Sequence, residues 1–318
     1  MSPGKTAGSG RSWKSRQRPP SNRTPGQRKE AVGAYLFVAP TTVLLTLFYF
    51  VPLAETIYYS FTRWNPIGTA GAKFIGLQNY RSLLSTSDFL GSLGRTMVYL
   101  AFTVPISIVI GLILALLLNR PFRGRTIYRT LLFTPYIAPI VGSAMVFSYI
   151  VSPLGGPLNG LLGSFGVAPI NFLNQDPWAM ISVIVFSIWQ VSSFNMVIYL
   201  AALGSVPEIY YEASMLDGAK WSDRFRHITW PLIWPSTLFL LVIGVISSFQ
   251  VFTQVYILTQ GGPLNGTEVI MDWIYQQDFV NLNGGLATAG SVALFVIGMG
   301  LTLLQLRFLG RRQIAMLG

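Results

Sequence analysis

The chain has 318 residues, of which 52% are hydrophobic and only 10% charged, with a mean hydropathy of +0.52. Soluble domains usually carry about 25% charged residues, so a large part of this chain is expected to lie out of contact with water, and a membrane protein is the first class to weigh. The absence of cysteine excludes disulfides, thiol catalysis and thiolate metal sites, while the net charge of +11 points to nucleic acid or to membrane topology according to where it sits.

The first 33 residues are rich in Ser, Gly, Pro, Lys and Arg and lack apolar periodicity, so residues 1–33 are expected to form a disordered basic tail. Residues 34–318 carry the rest of the organisation. A helix needs roughly 20 apolar residues to cross the hydrocarbon core. Six runs qualify: Ala34–Tyr59, Thr96–Leu118, Leu131–Val151, Ala179–Leu203, Ser236–Leu258 and Leu286–Phe308. The first is too long for the apolar core of a signal peptide and follows a long basic segment, so it reads as an uncleaved span. Several runs contain Pro, Gly, Ser or Gln. Polar groups inside lipid need partners or a water-lined path, which favours a bundle that moves a solute over a simple anchor.

Charge placement sets the expected orientation. All but four of the 22 Lys and Arg residues fall in the tail, in the loop after span two (Arg120, Arg123, Arg125, Arg129), in the loop after span four (Lys220, Arg224, Arg226) and at the C-terminal end (Arg307, Arg311, Arg312). These segments share one side of a six-span chain, so both termini are expected in the cytoplasm. The last outer loop is acidic, with Glu268, Asp272 and Asp278. The positive charge is thus a topology signal with lipid attraction, and no nucleic-acid partner is expected.

The densest mixed charge lies between spans four and five, in residues 205–235. Pro207 suits the first turn of a short helix, with Glu208 at its positive end, running to about Leu216. Gly218 offers a turn. A second short helix is expected after it, with Trp221, Phe225 and Ile228 on one face and Pro231 and Pro235 ending it before span five. The residues alone leave two readings: an interfacial helix pair that closes a loop, or a docking element for a cytosolic partner whose charges set register.

Glu212-Ala213-Ser214, then Gly218, Ile228 and Pro231, resembles the EAA signature of permease subunits of binding-protein-dependent ABC importers, with Ser214 in place of the second Ala. Phe74-Ile75-Gly76-Leu77-Gln78-Asn79-Tyr80 resembles the F-x-G-L-x-N-Y of the carbohydrate-uptake permeases, Asp217-Gly218-Ala219 their D-G-A, and Thr259-Gln260-Gly261-Gly262-Pro263 their T-x-G-G-P. The order of elements is similar to the maltose and glycerol-3-phosphate permeases. The resemblance implies an all-α integral membrane fold of six transmembrane helices with a cytoplasmic coupling helix-turn-helix between spans four and five. It implies that Glu212, Ala213, Ser214, Leu216, Asp217 and Gly218 form the coupling helix seated in a cleft of an ATPase subunit. It also implies a second homologous permease, two ATPase copies, an extracytoplasmic solute-binding protein and a bacterial inner-membrane location.

The chain lacks the G-x-x-x-x-G-K-[ST] phosphate loop, paired His ligands and a nucleophile elbow. No catalytic residue, metal or cofactor is expected on it, and ATP with Mg belongs on the partner ATPase. The pathway candidates are the polar residues of spans four and five: Trp189, Gln190, Ser193, Asn195, Ser247, Gln250, Gln254 and Tyr256. Rings and amides together suit a sugar, and Gln250 and Gln254 are expected on one helix face at i, i+4. Interhelical hydrogen bonding is the competing role for such residues. The absence of Lys and Arg from spans four and five tilts the reading to a neutral sugar or polyol, while the resemblance keeps glycerol-3-phosphate and its diesters open. Gly155–Gly160 and Gly261–Gly266 repeat the string GGPLNG and read either as two ordinary turns or as a surface for the binding protein. A passive channel is the alternative function; it has no need of the coupling loop.

Overall fold

The computed structural model describes residues 25–68 and 71–317, with side chains described for 33–68 and 71–307. Residues 1–24 of the expected basic tail lie outside the described residues. The chain divides into two compact units, residues 1–54 and 55–318.

In the first unit, helix α1 (Pro25–Leu45) passes through a π-helical turn at Thr46–Phe50 into α2 (Val51–Ser60), whose later residues belong to the second unit. The helix therefore starts inside the segment expected to be disordered. Pro25 is harmless in a first turn, and Gln27, Arg28, Lys29, Glu30 and Ala31 are good helix formers. Thr42 and Thr46 donate their hydroxyls to the carbonyls of Val38 and Thr42, at 3.1 and 2.8 Å, so neither requires an outside partner in lipid.

The second unit is helical except for one antiparallel pair, β1 (Thr62–Arg63) and β2 (Lys73–Phe74), in register Thr62↔Phe74. Its long helices are α4 (Ser87–Asn119), α8 (Trp178–Gly204), α11 (Trp230–Phe249) and α14 (Gly284–Leu317). Shorter ones are α3 (Gln78–Ser85), α5 (Arg125–Ile137), α6 (Ile140–Ile150), α7 (Pro157–Ser164), α9 (Glu208–Leu216), α10 (Trp221–Arg224), α12 (Thr253–Leu258) and α13 (Ile270–Tyr275). Among the described residues, five helical segments are long and apolar enough to cross a membrane, and a sixth crossing follows if α5 and α6 count as one.

The core lies along α4 and α8. Val104, Ile108 and Ala115 of α4 pack with Met196, Tyr199 and Leu203 of α8 and with Ile233 and Leu240 of α11. Tyr99 joins Val183 and Phe186 of α8 and Val255 of α12, while Phe89, Phe249, Trp273 and Ala287 bring α4, α11, α13 and α14 together. Because the long helices are apolar nearly all round, the remaining apolar faces are exposed on the single chain and suit lipid.

Three expected elements differ in the structure. The third span is a pair of helices bent by 97°. Ala138, preceding Pro139, is forced out of the helical region to φ −62°, ψ 140°, and Pro139 then starts the next helix. The fifth span ends at Phe249, and α12 starts only at Thr253 after a break at Phe252 (φ −145°, ψ −60°). Neither Pro nor Gly sits there; buried Val251 and the stacking of Phe252 on Tyr256 hold the break by tertiary packing. Finally, the second helix of the charged loop does not end at Pro231. Residues Trp221–Phe249 are one continuous helix with a π-helical turn at Phe225–Thr229. The extra residue of that turn moves the hydrogen bonding to i−5, with the Trp230 N–H on the Phe225 carbonyl, just ahead of Pro231, which has no N–H to donate.

Candidate translocation cavity and docking loop

A cavity of about 250 Å³ lies where α4, α5, α8, α11 and α12 meet. Tyr99, Thr103 and Ser107 line it from α4, Tyr136 from α5, Gln190, Phe194 and Asn195 from α8, Ser247 and Ser248 from α11, and Gln254 from α12. Its wall is rich in hydroxyls and amides and holds no Asp, Glu, Lys or Arg. The Gln254 amide donates to the Tyr99 hydroxyl at 3.2 Å and to Ser187 Oγ at 3.4 Å. The Asn195 amide donates to Ser107 Oγ at 3.2 Å. Tyr136 stacks on Phe194 with ring centroids 4.9 Å apart. These pairs tie α4, α5, α8 and α12 together, and hydroxyl and amide groups line the space between them and α11.

The structure thus brings Gln190, Asn195, Ser247 and Gln254 of the expected pathway residues to one cavity. Trp189 and Ser193 instead line a neighbouring, mostly apolar groove with Ile106, Leu131 and Pro135. Gln250 and Gln254 do not share a helix face, because the break at Phe252 separates them: Gln250 closes α11 as an exposed residue. Tyr256 belongs to an aromatic cluster with Phe252 and Tyr275, at 5.2 and 5.6 Å. Sequence reasoning missed Tyr99, Thr103, Ser107, Tyr136 and Ser248. Tyr99, Thr103 and Ser107 recur every four residues along span two, a polar stripe in an apolar run that could have been read.

The docking loop has its own geometry. Helix α9 ends with the Ala219 N–H on the Ser214 carbonyl at 2.9 Å and the Gly218 N–H on the Met215 carbonyl at 3.1 Å. Gly218, at φ +74°, supplies the left-handed residue that this Schellman closure requires. Glu212, Ala213, Leu216, Asp217 and Gly218 are exposed, and Ser214 is half-buried with its hydroxyl on the Tyr211 carbonyl. Ile209, Tyr210, Met215 and Leu216 add an exposed apolar surface, with Leu216 at 90%. Tyr211 Oη lies 2.9 Å from Thr229 Oγ1, which ties α9 to the start of the fifth span. Beyond it, Trp221 stacks on Phe225 at 5.5 Å, and the ring series continues through Trp230 and Trp234 rather than through Ile228, because the π-helical turn shifts the register.

The remaining motifs are structural clasps. Asn79 of the F-x-G-L-x-N-Y string is buried and donates to the carbonyls of Ser60, Thr62 and Gly285, at 2.9, 2.9 and 3.0 Å. In the T-x-G-G-P string, a Cβ on Gly261 would stand 2.7 Å from Asp272 Oδ2 and would force that carboxylate to shift, and φ +79° strains any residue other than glycine there. Arg95 Nη2 pairs with Glu268 Oε2 at 3.1 Å, and its Nε donates to the Glu268 carbonyl at 2.8 Å. Burial raises the Glu268 pKa against the pull of Arg95, and burial raises that of Asp272. The two GGPLNG strings fold differently. The first opens α7, and its Asn159 is buried and bonded to the Val151, Ser152 and Ile170 backbone; the second is a tight turn with Asn265 exposed.

A largely helical chain with membrane-length helices, a polar cavity between them and a short exposed helix in a charged loop fits a multi-pass membrane transport component. The chain belongs to the family described as "Binding-protein-dependent transport system inner membrane component", which matches residues 107–313. It is 36% identical over 280 residues to the sn-glycerol-3-phosphate transport system permease proteins UgpA of Rhizobium meliloti (strain 1021) and Agrobacterium fabrum, covering 87% of this chain and 94% of each relative. The same permease of Yersinia pestis is 33% identical with the same coverage. In fold it is similar to a chain of a bacterial alginate ABC transporter, solved in complex with an alginate pentasaccharide-bound periplasmic protein, at a TM-score of 0.81 and 23% identity over 91% of this chain and 97% of that one. It is accordingly an inner-membrane permease subunit of an ABC importer, and not an enzyme.

Proposed function

We propose that the chain forms the translocation pathway for a neutral, polyhydroxylated solute, a sugar, oligosaccharide or polyol, driven by ATP and Mg on a separate ATPase. The observation that carries this reading is the cavity wall: hydroxyls, amides and two stacked rings with no charged side chain. Amides and hydroxyls bond sugar hydroxyls, and rings take the apolar C–H face. Alternating access around such a site follows from rocking the helices against each other. Exposed Glu212 and its neighbours on α9 take the ATPase cleft, and both termini lie in the cytoplasm with them.

A second reading is a phosphate ester, favoured by the names of the 36% identical relatives. Uptake of labelled maltose and of labelled sn-glycerol 3-phosphate by cells holding the complete importer separates the two. Maltose uptake without phosphate-ester uptake is the expected outcome. Uptake of the ester alone overturns the neutral-solute reading, and uptake of neither overturns the pathway as described.

A further inference from the structure

Among the described residues, fifteen serines and threonines are buried, and every one has a hydrogen-bond partner except Thr103. The pattern along α4 makes the exception plain. Thr96 donates to the Ser92 carbonyl at 2.8 Å and Ser107 to the Val104 carbonyl at 3.0 Å. Thr103 is 3% exposed, lines the polar cavity, and its Oγ1 has no partner in hydrogen-bonding geometry, the Tyr99 hydroxyl one turn back interacting with it only outside that geometry. A helix offers any Thr an easy remedy, the carbonyl one turn back. A buried hydroxyl that leaves this remedy unused stays unsatisfied. One turn away on either side stand Tyr99, which accepts from Gln254, and Ser107, which accepts from Asn195, so the free hydroxyl sits between two satisfied ones on the same wall.

We infer that Thr103 is a solute-contact residue: its hydroxyl hydrogen-bonds a hydroxyl group of the transported solute, and so selects among polyhydroxylated compounds. The inference rests on the cavity being the pathway. A hydroxyl both donates and accepts, which matches a sugar or polyol hydroxyl in either sense.

The test uses the complete importer in proteoliposomes, with maltose, glycerol and sn-glycerol 3-phosphate as labelled probes. For the probe that the wild type carries, Thr103→Val raises the KM for uptake by about three- to tenfold with kcat nearly unchanged, as expected for one neutral hydrogen bond made equally in ground and transition states. Thr103→Ser keeps the wild-type KM. Thermal stability of Thr103→Val is about that of the wild type, since no hydrogen bond of good geometry within the protein is lost. A Thr103→Val variant with wild-type KM overturns the inference, as does one whose only defect is lower stability. Ser247→Phe, which fills the same cavity from α11, separates the two claims. If it blocks uptake while Thr103→Val is normal, the Thr103 assignment alone fails. If Ser247→Phe transports normally, or the wild type carries none of the probes, the pathway reading fails and takes the inference with it.

Discussion

Asp272 is the most deeply buried carboxylate among the described residues, at 1% exposure, and its Oδ2 has no hydrogen-bond partner. Burial raises its pKa above the ordinary 3.8, and Glu268 is raised above 4.5 for the same reason. The folded protein therefore holds these protons more tightly than the unfolded chain does. The stability they contribute is fully present below the ordinary carboxylate values and is lost as pH rises through the raised ones. Asp272→Asn keeps the shape and removes the ionisation, so thermal unfolding of the variant should fall less steeply between pH 4 and pH 7 than that of the wild type, as roughly expected from linkage. Some slope remains from Glu268. Identical slopes in the two proteins would sink this account of the buried carboxylate. Residue types in the acidic outer loop were visible in the sequence; that Arg95 reaches across from α4 to Glu268 was not, because 173 positions separate them and only the packed fold sets the pairing. The same limit explains the cavity-lining residues. Gln190, Asn195, Ser247 and Gln254 were found because a polar group in an apolar run stands out. The stripe of Tyr99, Thr103 and Ser107 was passed over because hydroxyls are cheap to bury in a helix and so signal less than amides.

At the scale of elements, the apolar runs located the five membrane-length helices and the bent pair α5–α6, since length and composition suffice for that. They failed at the breaks. The bend at Ala138–Pro139 has a local cause, written in the residue before proline, and was legible. The break at Phe252 has a tertiary cause and was not. The two π-helical turns that precede proline, Thr46–Phe50 before Pro52 and Phe225–Thr229 before Pro231, show one solution used twice: the helix widens by a residue and runs on. For the docking loop this joins the aromatic helix starting at Trp221 rigidly to the fifth span, while the Schellman turn at Gly218 sets the direction of α9. If α9 docks as proposed, this connection would pass force on it to α11, whose Ser247 lines the cavity. Gly218→Pro removes the N–H that bonds the Met215 carbonyl and forbids φ +74°. Glu212→Lys reverses an exposed charge without touching the fold. Both variants should insert and purify normally yet lose solute-stimulated ATP hydrolysis and uptake, with docking to the ATPase weakened by about 30-fold for Glu212→Lys if the residue is a hot spot of that interface. Normal coupled transport by both would reduce α9 to a loop closure.

At the scale of the whole assembly, the question is what completes the pathway. Transporters of this kind place the solute between two structural halves that rock about it. Among its described residues this chain supplies up to six crossings and a polar cavity, and its sequence carries one EAA-like loop and no phosphate loop. On the proposed reading, one half with one docking helix engages one ATPase copy, so an ATPase pair calls for two permeases, each with a cleft for its own α9. The exposed patch of Ile209, Tyr210, Met215 and Leu216 is an apolar surface on a short charged loop, and it suits burial in such a cleft. Purification of the tagged chain in mild detergent from its own host, followed by mass spectrometry of intact complexes, reads the composition directly. The expected particle contains this chain, a second and different permease, and two ATPase subunits. A particle with two copies of this chain and two ATPases would make the pathway homodimeric and place two Thr103 side chains in it. A chain that emerges without any ATPase, while Glu212→Lys behaves as the wild type, would leave the passive channel as the better account of the same cavity.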